Sequence, residues 1–230
     1  MNKVGVTVTY PSAGSVRWTT ILGTAGIVAF VALTILVQVR LTAALDVAAA
    51  DAKQSWIDPL FDGYAAAVSI ALSAELSVVY AAIAGLLLWR AGLGRWALAP
   101  FAFLFSVPIE VILKIVVAQP WVPSEFYRNV YYPLATLTLR GTYPSGHAIR
   151  GAFFCAFLAL LLGARRGSVA RLAPILLTLL AITFGLTRIY LGYHWLSDVV
   201  AGMLLGVALA FFVTPPTVDR LAYRSHTTSG

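Results

Sequence analysis

Six long apolar runs divide the sequence, and they constrain its fold more than any other feature. A helix that crosses a lipid bilayer needs about 20 consecutive, mostly apolar residues. Hydrophobic residues make up 60% of the chain and charged residues 11%, which excludes an ordinary soluble domain, a disordered chain and a coiled coil. We therefore predict an all-α integral membrane bundle of six transmembrane helices, at roughly Trp18–Val39, Tyr64–Trp89, Trp96–Val117, His147–Ala164, Leu172–Ile189 and His194–Val213.

The segment Leu41–Phe61, between the first two runs, has a different character. Charged residues alternate in it with apolar ones such as Trp56 and Leu60. This pattern is typical of an amphipathic helix that lies on a membrane surface, and Pro59 predicts a break at its end. We expect one such helix on the outer face, with its charges at Asp46, Asp51, Lys53 and Asp58 and at Asp62 directly after it.

Basic residues in short loops predict how the bundle is oriented. Six spans place both termini on one side, together with the loops Arg90–Arg95 and Arg165–Arg171, which contain arginine but no acid. Short basic loops remain in the cytoplasm. We expect a multi-pass protein of the cytoplasmic membrane, with residues 1–17 and 215–230 as cytoplasmic segments around a membrane domain at 18–214. The net charge of +7 is then loop charge, and no nucleic-acid partner is implied.

Three clusters of polar residues fall at the predicted outer boundary, where ionisable side chains are costly and indicate function. In the first, His194 and Asp198 are four residues apart and therefore share one helix face. The carboxylate can fix the tautomer of the imidazole and leave its other nitrogen free to attack. Arg188 lies at the end of the preceding span. A helix cap with interfacial residues that reach the headgroups is the alternative interpretation.

The second and third clusters suit an anion. Tyr143-Pro-Ser-Gly-His147 is a turn that leads into the fourth span, and Ser145 or Gly146 would cap the helix so that its first amides can bind an anion beside His147. Lys114 lies at the outer end of the third span, one turn after Glu110. It is either a phosphate-binding residue held by Glu110 or half of a plain ion pair.

These clusters resemble the three signatures of the type 2 phosphatidic acid phosphatase family, whose site is shared with vanadium haloperoxidases. The family pattern P-S-G-H is complete in Pro144–His147, and S-R-x5-H-x3-D is matched by Arg188, His194 and Asp198, with Thr187 in place of Ser. The order of the motifs and the six spans also agree. The first signature, K-x6-R-P, keeps Lys114 but has Trp121 and Val122 for its Arg and Pro.

The resemblance implies a membrane phosphatase that hydrolyses a lipid or polyprenyl phosphate or diphosphate at the outer face. His194 would form a phosphohistidine, Asp198 would orient it, and His147 would protonate the leaving oxygen and later activate water. Lys114, Arg188 and the amides of Ser145 and Gly146 would hold the phosphoryl oxygens. The substrate would be reached from membrane lipid; undecaprenyl diphosphate, phosphatidic acid and phosphatidylglycerophosphate are candidates. No cofactor or metal is implied, and no protein partner is identified.

The missing arginine of the first signature predicts a substitute elsewhere, because a phosphoryl site does not readily lose a cation. Arg150 is three residues after His147, on the same helix face, and inside an apolar run. Arg128 follows Trp121 by seven residues in the outer loop. We expect Arg150 or Arg128 to supply the contact, with Arg150 favoured because the helix fixes its place. The alternative is that Arg150 pairs structurally with Glu75 or Glu110.

Three other functions remain compatible with the sequence. A lipid phosphotransferase would use an alcohol instead of water on the same intermediate. A non-catalytic relative would only bind a lipid phosphate, an interpretation supported by Trp121 alone. A metal site built from His147, His194 and Asp198 has enough ligands, but Lys114 and Arg188 would repel the cation.

Overall fold

The computed structural model describes residues 13–128, 140–163 and 168–214, and all the regular structure in these ranges is helical. The loop 129–139, part of the connection at Arg165–Arg171 and the tail 215–230 lie outside the described residues. Two 3-10 helices, Gly94–Phe105 and Ser124–Phe126, accompany eight α-helices: α1 (Ala13–Gln38), α2 (Ala43–Gln54), α3 (Pro59–Ala71), α4 (Ala74–Arg90), α5 (Ser106–Val116), α6 (Gly146–Gly163), α7 (Ser168–Tyr190) and α8 (Leu196–Val213).

Five helical segments in the described ranges are long and apolar enough to cross a bilayer, and a bent pair, α3 with α4, raises the number to six if the pair forms one span. The predicted all-α membrane bundle is confirmed. The third span starts as the 3-10 helix Gly94–Phe105, which contains Pro100, and continues as α5. The protein is therefore a multi-pass membrane protein.

The second span differs from the continuous helix that we predicted over Tyr64–Trp89. The chain bends by 64° between α3 and α4, at Leu72 and Ser73. Ser73 is the N-cap of α4, and its hydroxyl accepts a hydrogen bond from Leu76 N at 3.2 Å. Such a bond offers the backbone an alternative to a continuous helix. The break leaves carbonyl groups at the end of α3 without helical partners.

The helix predicted between the first two spans is present as α2. It ends at Gln54, before the break that we predicted at Pro59. Asp58 stops it from continuing into the next helix, because its carboxylate accepts hydrogen bonds from Leu60 N at 2.7 Å and Phe61 N at 2.9 Å and caps α3. Pro59 is at the first position of α3, where its missing N–H costs nothing. The helix α2 packs against α7 and α8.

The centre of the bundle is the contact of α6 with α8, flanked by α7 and α1. Gly202 and Gly206 are one turn apart on α8, and they let the two backbones approach closely. A Cβ atom at Gly202 would lie 2.5 Å from Ser145 O, and one at Gly206 would lie 2.3 Å from Ile149 O. These glycines determine how closely the start of α8 approaches the start of α6.

We expect Gly206→Ala to destabilise the bundle by about 1–3 kcal/mol, because the added methyl group meets rigid backbone in the α6–α8 contact. The measurement is the thermal unfolding midpoint of the purified protein in detergent. The matched control is Gly63→Ala on α3, where a Cβ meets nothing within 4 Å and helix propensity favours alanine. Equal midpoints for the two variants would contradict the close packing.

Candidate active site

The turn between α7 and α8 places His194 beside Asp198. The Nδ1 atom of His194 lies 3.2 Å from Asp198 Oδ2, and the same oxygen accepts a hydrogen bond from Trp195 N at 3.0 Å. Asp198 is fully buried in the first turn of α8. A carboxylate accepts, so Nδ1 carries the hydrogen and Nε2 keeps its lone pair. Gly192 has a φ of +77°, the left-handed conformation that glycine adopts readily.

The start of α6 is joined to the start of α8 by a backbone hydrogen bond. Ser145 N donates to Asp198 O at 3.0 Å. The Ser145 hydroxyl lies 3.5 Å from Ala148 N, in the position of an N-cap. The expected anion site at this helix start therefore changes in one respect, because the Ser145 amide is already bonded. The Ser145 hydroxyl and the Gly146 amide are the groups at this helix start that could bind an anion.

His147 contacts both the broken span and Arg150. Its Nε2 atom lies 3.2 Å from the carbonyl oxygen of Ser69, and its Nδ1 atom lies 3.4 Å from Arg150 Nη2. A carbonyl oxygen only accepts and a guanidinium only donates, so the neutral ring carries its hydrogen on Nε2. Nδ1 is then the ring atom that can exchange a proton with a reacting group, once that group replaces Arg150 at its lone pair.

Two arginines are held by the same broken span. Arg188 is 2% exposed; its guanidinium donates to the hydroxyl of Ser69 and, at 3.5 Å, to Ala65 O. Arg150 Nε donates to Leu72 O at 2.8 Å. Leu72 at the bend thus holds Arg150, and Ser69 on α3 holds Arg188 and also contacts His147.

Lys114 and Glu110 complete the cluster. Lys114 Nζ donates to Thr142 O at 3.0 Å and lies 3.7 Å from a Glu110 oxygen, and the other Glu110 oxygen lies 3.8 Å from Arg150 Nη1. The Glu110 carboxylate also lies against Gly146, where a Cβ would come within 2.4 Å of it. A carboxylate therefore lies at the start of α6, between two cations.

Arg128 belongs to a different group of residues. Its guanidinium forms a two-bond pair with Asp62, with Nε at 3.1 Å from Oδ1 and Nη2 at 2.5 Å from Oδ2. It also lies over the Tyr190 ring, 5.7 Å from the centroid. Arg128 is therefore engaged by Asp62. The other predicted site residues lie together: His147, His194, Asp198, Lys114, Arg188, Arg150, Ser145 and Gly146. Trp121, in the place of the family arginine, is 43% exposed.

The site also includes groups that the sequence did not single out. Ser69 contacts both His147 and Arg188, and the carbonyl of Leu72 holds Arg150. A serine inside an apolar run gives no signal, because its role depends on a helix break several residues away. Among the described residues, no group of three or more His, Cys, Asp or Glu side chains is arranged to hold a metal ion.

The electrostatics of His194 favour its neutral form. Burial lowers the pKa of the imidazole, the Lys114 and Arg188 charges lower it further, and the hydrogen bond to Asp198 opposes them; the pKa remains below its ordinary value of 6.5. A neutral imidazole with a free lone pair is a nucleophile. The same charges would stabilise a phosphoryl group that approaches it.

Comparison with known proteins decides the family. The model of the PAP2 superfamily matches residues 95–220, more than half of the chain, and that range includes all three signature regions. The chain belongs to the PAP2 superfamily. The resemblance to type 2 phosphatidic acid phosphatases is therefore confirmed, with Trp121 and Val122 as departures from the first signature.

A solved PAP2 structure has the same fold. It is described as the first transmembrane PAP2 type phosphatidylglycerolphosphate phosphatase from Bacillus subtilis, and it aligns with a TM-score of 0.66 at 19% identity, over 83% of this chain and 93% of that one. Among curated proteins, none matches this sequence. The fold is that of a PAP2 membrane phosphatase.

We expect His194 to titrate below pH 6.5 in ¹⁵N-histidine NMR spectra of the protein in detergent. Asp198→Asn should lower the pKa of His194 further, because it removes the negative charge that opposes the other effects. Lys114→Gln should raise it, because it removes a neighbouring positive charge. Asp51→Asn, at an exposed position of α2, is the control and should leave the titration unchanged. Shifts in the same direction for Asp198→Asn and Lys114→Gln would contradict this electrostatic arrangement.

Proposed function

We propose that this protein hydrolyses a lipid or polyprenyl phosphate or diphosphate through a phosphohistidine at His194. The observation that carries the proposal is the hydrogen bond of His194 Nδ1 to buried Asp198, 3.2 Å long, which leaves Nε2 free to attack. His147, Lys114, Arg188 and the start of α6 surround this pair, as the PAP2 family requires.

In the first step, the lone pair of His194 Nε2 forms a bond to phosphorus as the bond from phosphorus to the lipid oxygen breaks. Asp198 stabilises the imidazolium that forms. For this step we propose that His147 Nδ1 leaves the Arg150 contact, carries a proton and gives it to the leaving oxygen, while Nε2–H stays bonded to Ser69 O. For a diphosphate substrate, the leaving group is the lipid monophosphate.

In the second step, water attacks the phosphohistidine. His147 Nδ1 takes a proton from the water, the bond between His194 and phosphorus breaks, and inorganic phosphate leaves. The transferred phosphoryl group spreads its charge over three oxygens, so fixed cations and hydrogen-bond donors contribute most of the transition-state stabilisation. In this proposal those groups are Lys114, Arg188, the Ser145 hydroxyl and the amide of Gly146. No step needs a metal ion or a cofactor.

The place of the site suits a lipid. The catalytic groups lie at the ends of α5, α6, α7 and α8, and the spans beneath them present apolar faces to the bilayer. A phosphate on a lipid tail reaches such a site with its tail still in the membrane. The Bacillus subtilis structure with the same fold is described as a phosphatidylglycerolphosphate phosphatase, which places phosphatidylglycerophosphate in the substrate panel beside phosphatidic acid and undecaprenyl diphosphate.

The purified protein in detergent should release inorganic phosphate from at least one lipid phosphate of this panel. His194→Ala should abolish turnover, and Asp198→Asn should reduce it less completely. Activity should survive EDTA and be inhibited by orthovanadate, which adopts the trigonal-bipyramidal geometry of the transition state. His226→Ala, at the remaining histidine, is the control. Activity of His194→Ala within a few-fold of wild type would rule out the phosphohistidine, and transfer of phosphate to an added alcohol would identify a phosphotransferase.

Arg150→Ala should lower kcat/KM about a hundredfold, or about 2.7 kcal/mol, if Arg150 replaces the arginine missing at Trp121. Its 3.4 Å distance to His147 supports that role, and its pairing with Glu110 supports the structural one. Arg128→Ala is the matched comparison; its pairing with Asp62 favours a smaller effect. If both variants remain near wild type while Lys114→Ala is inactive, the site works with one cation fewer.

We propose that the site opens to the extracytoplasmic side. The short loops whose only charged residues are arginines favour the cytoplasm, and the site lies at the opposite end of the spans. In a Cys155→Ala background, Ser124→Cys should react with a membrane-impermeant maleimide in intact cells, and Arg95→Cys should react only after the membrane is opened. Both positions are exposed. Labelling of both cysteines from the same side would overturn this topology.

A further inference from the structure

Asp46 lies on the amphipathic helix α2, but its carboxylate is directed into the protein. The residue is 3% exposed. Its Oδ1 atom accepts a hydrogen bond from Ser197 N at 2.8 Å, and its Oδ2 atom accepts one from Ser197 Oγ at 2.8 Å. Gln119 Nε2 lies 3.3 Å from Oδ2 and 3.2 Å from the same serine hydroxyl. A buried carboxylate is costly unless it is bonded in this way.

These contacts hold the first turn of α8. Ser197 is the second residue of the helix, and its N–H is one of the donors that have no acceptor within a helix. Asp46 provides that acceptor from a helix 151 residues earlier in the chain. The N-terminus of a helix also favours a negative charge. Asp46 therefore acts as a cap supplied from outside the helix that it caps.

The capped turn is the one that carries the proposed catalytic carboxylate. Ser197 directly precedes Asp198, and Asp198 reaches back to Trp195 N and His194 Nδ1. The indole of Trp195 is itself fixed, because Nε1 donates to Pro120 O at 2.8 Å. The turn is thus held by α2 on one side and by the connection after α5 on the other. A frayed first turn would displace Asp198 relative to His194.

We propose that Asp46 is a positioning residue that keeps Asp198 in hydrogen-bond register with His194. The catalytic consequence rests on the function proposed above, but the structural effect does not. Asp46 touches neither histidine, so its role is to place the first turn of α8. An asparagine keeps an acceptor for Ser197 N and should therefore preserve the register, whereas an alanine should not.

The first test reads the hydrogen bond directly. The chain has three histidines, so the Nδ1–H resonance of His194 in ¹⁵N-histidine-labelled protein is assigned by comparison with His194→Gln. We expect this resonance in wild type and in Asp46→Asn, and its loss or broadening in Asp46→Ala. Asp51→Ala on the same helix is the control. An unchanged resonance in folded Asp46→Ala overturns the proposal. Should that variant fail to fold, Ser197→Ala removes one of the two bonds and should weaken the same signal, and an unchanged signal there overturns the proposal equally.

The second test asks whether Asp46 acts through Asp198. Asp46→Ala should lower kcat about tenfold to a hundredfold with KM within about threefold, and Asp46→Asn should restore most of it. In an Asp198→Asn background, the same alanine should change kcat by no more than about twofold, because interacting residues are not additive. Equal fold-changes in both backgrounds would show a separate role and overturn the proposal. Absence of lipid phosphatase activity in wild type would instead refute the proposed function and leave the NMR test to decide.

Discussion

The backbone hydrogen bond from Ser145 N to Asp198 O is the contact on which the site depends. It fixes the start of α6 against the start of α8, so the motifs at Pro144–His147 and at Arg188–Asp198 share one site although they are distant in the sequence. The bond requires the two helices to approach closely, and Gly202 permits that approach because a side chain there would meet Ser145 O. The close packing of the bundle and the chemistry at its end are therefore one structural requirement.

Placing several charges in an apolar bundle is expensive, and each charge near the histidines is paired or bonded. Arg188 is held by the end of α3, Arg150 by Leu72 O and Glu110, and Lys114 by Thr142 O and Glu110. The break in the second span provides the acceptor for Arg150, because Leu72 O lies at the end of a helix, where carbonyl groups have no helical partner. Arg188 instead uses the Ser69 hydroxyl and Ala65 O, which lie before the break on α3. A phosphoryl group that enters must share these cations with Glu110, whose carboxylate lies against Gly146.

Much of this was predictable from the sequence. Apolar runs of bilayer length gave the spans, and helical spacing predicted the contacts of His194 with Asp198, Lys114 with Glu110 and Arg150 with His147, because residues three or four apart on a helix are neighbours. The spatial roles of Ser69 and Leu72 were not predictable. The apolar run Tyr64–Trp89 contains three serines, and the sequence does not show which of them marks a break in the helix. The burial of Asp46 was not predictable either, because its partner Ser197 is 151 residues away and the sequence of α2 is typical of a surface helix.

The residues next to Trp121, which replaces the arginine of the family signature, have structural contacts of their own. In the PAP2 family signature an arginine stands at this position, whereas here the neighbouring Pro120 carbonyl binds the Trp195 indole and Gln119 joins the Asp46 and Ser197 group. The segment after α5 thus supports the first turn of α8. Arg150, whose guanidinium lies 3.4 Å from His147 Nδ1, is one of the two arginines that the structure places beside this histidine.

The most direct measurement is the capture of the phosphorylated enzyme. Purified protein is mixed with a ³²P-labelled lipid phosphate that it hydrolyses, quenched with alkali during the first turnover, and digested for mass spectrometry. Phosphohistidine survives alkali, so label on the peptide that contains His194 is the expected result, absent from His194→Ala and present in His226→Ala. Turnover with no labelled protein during the first cycle, or label on any other residue, would contradict the proposed mechanism.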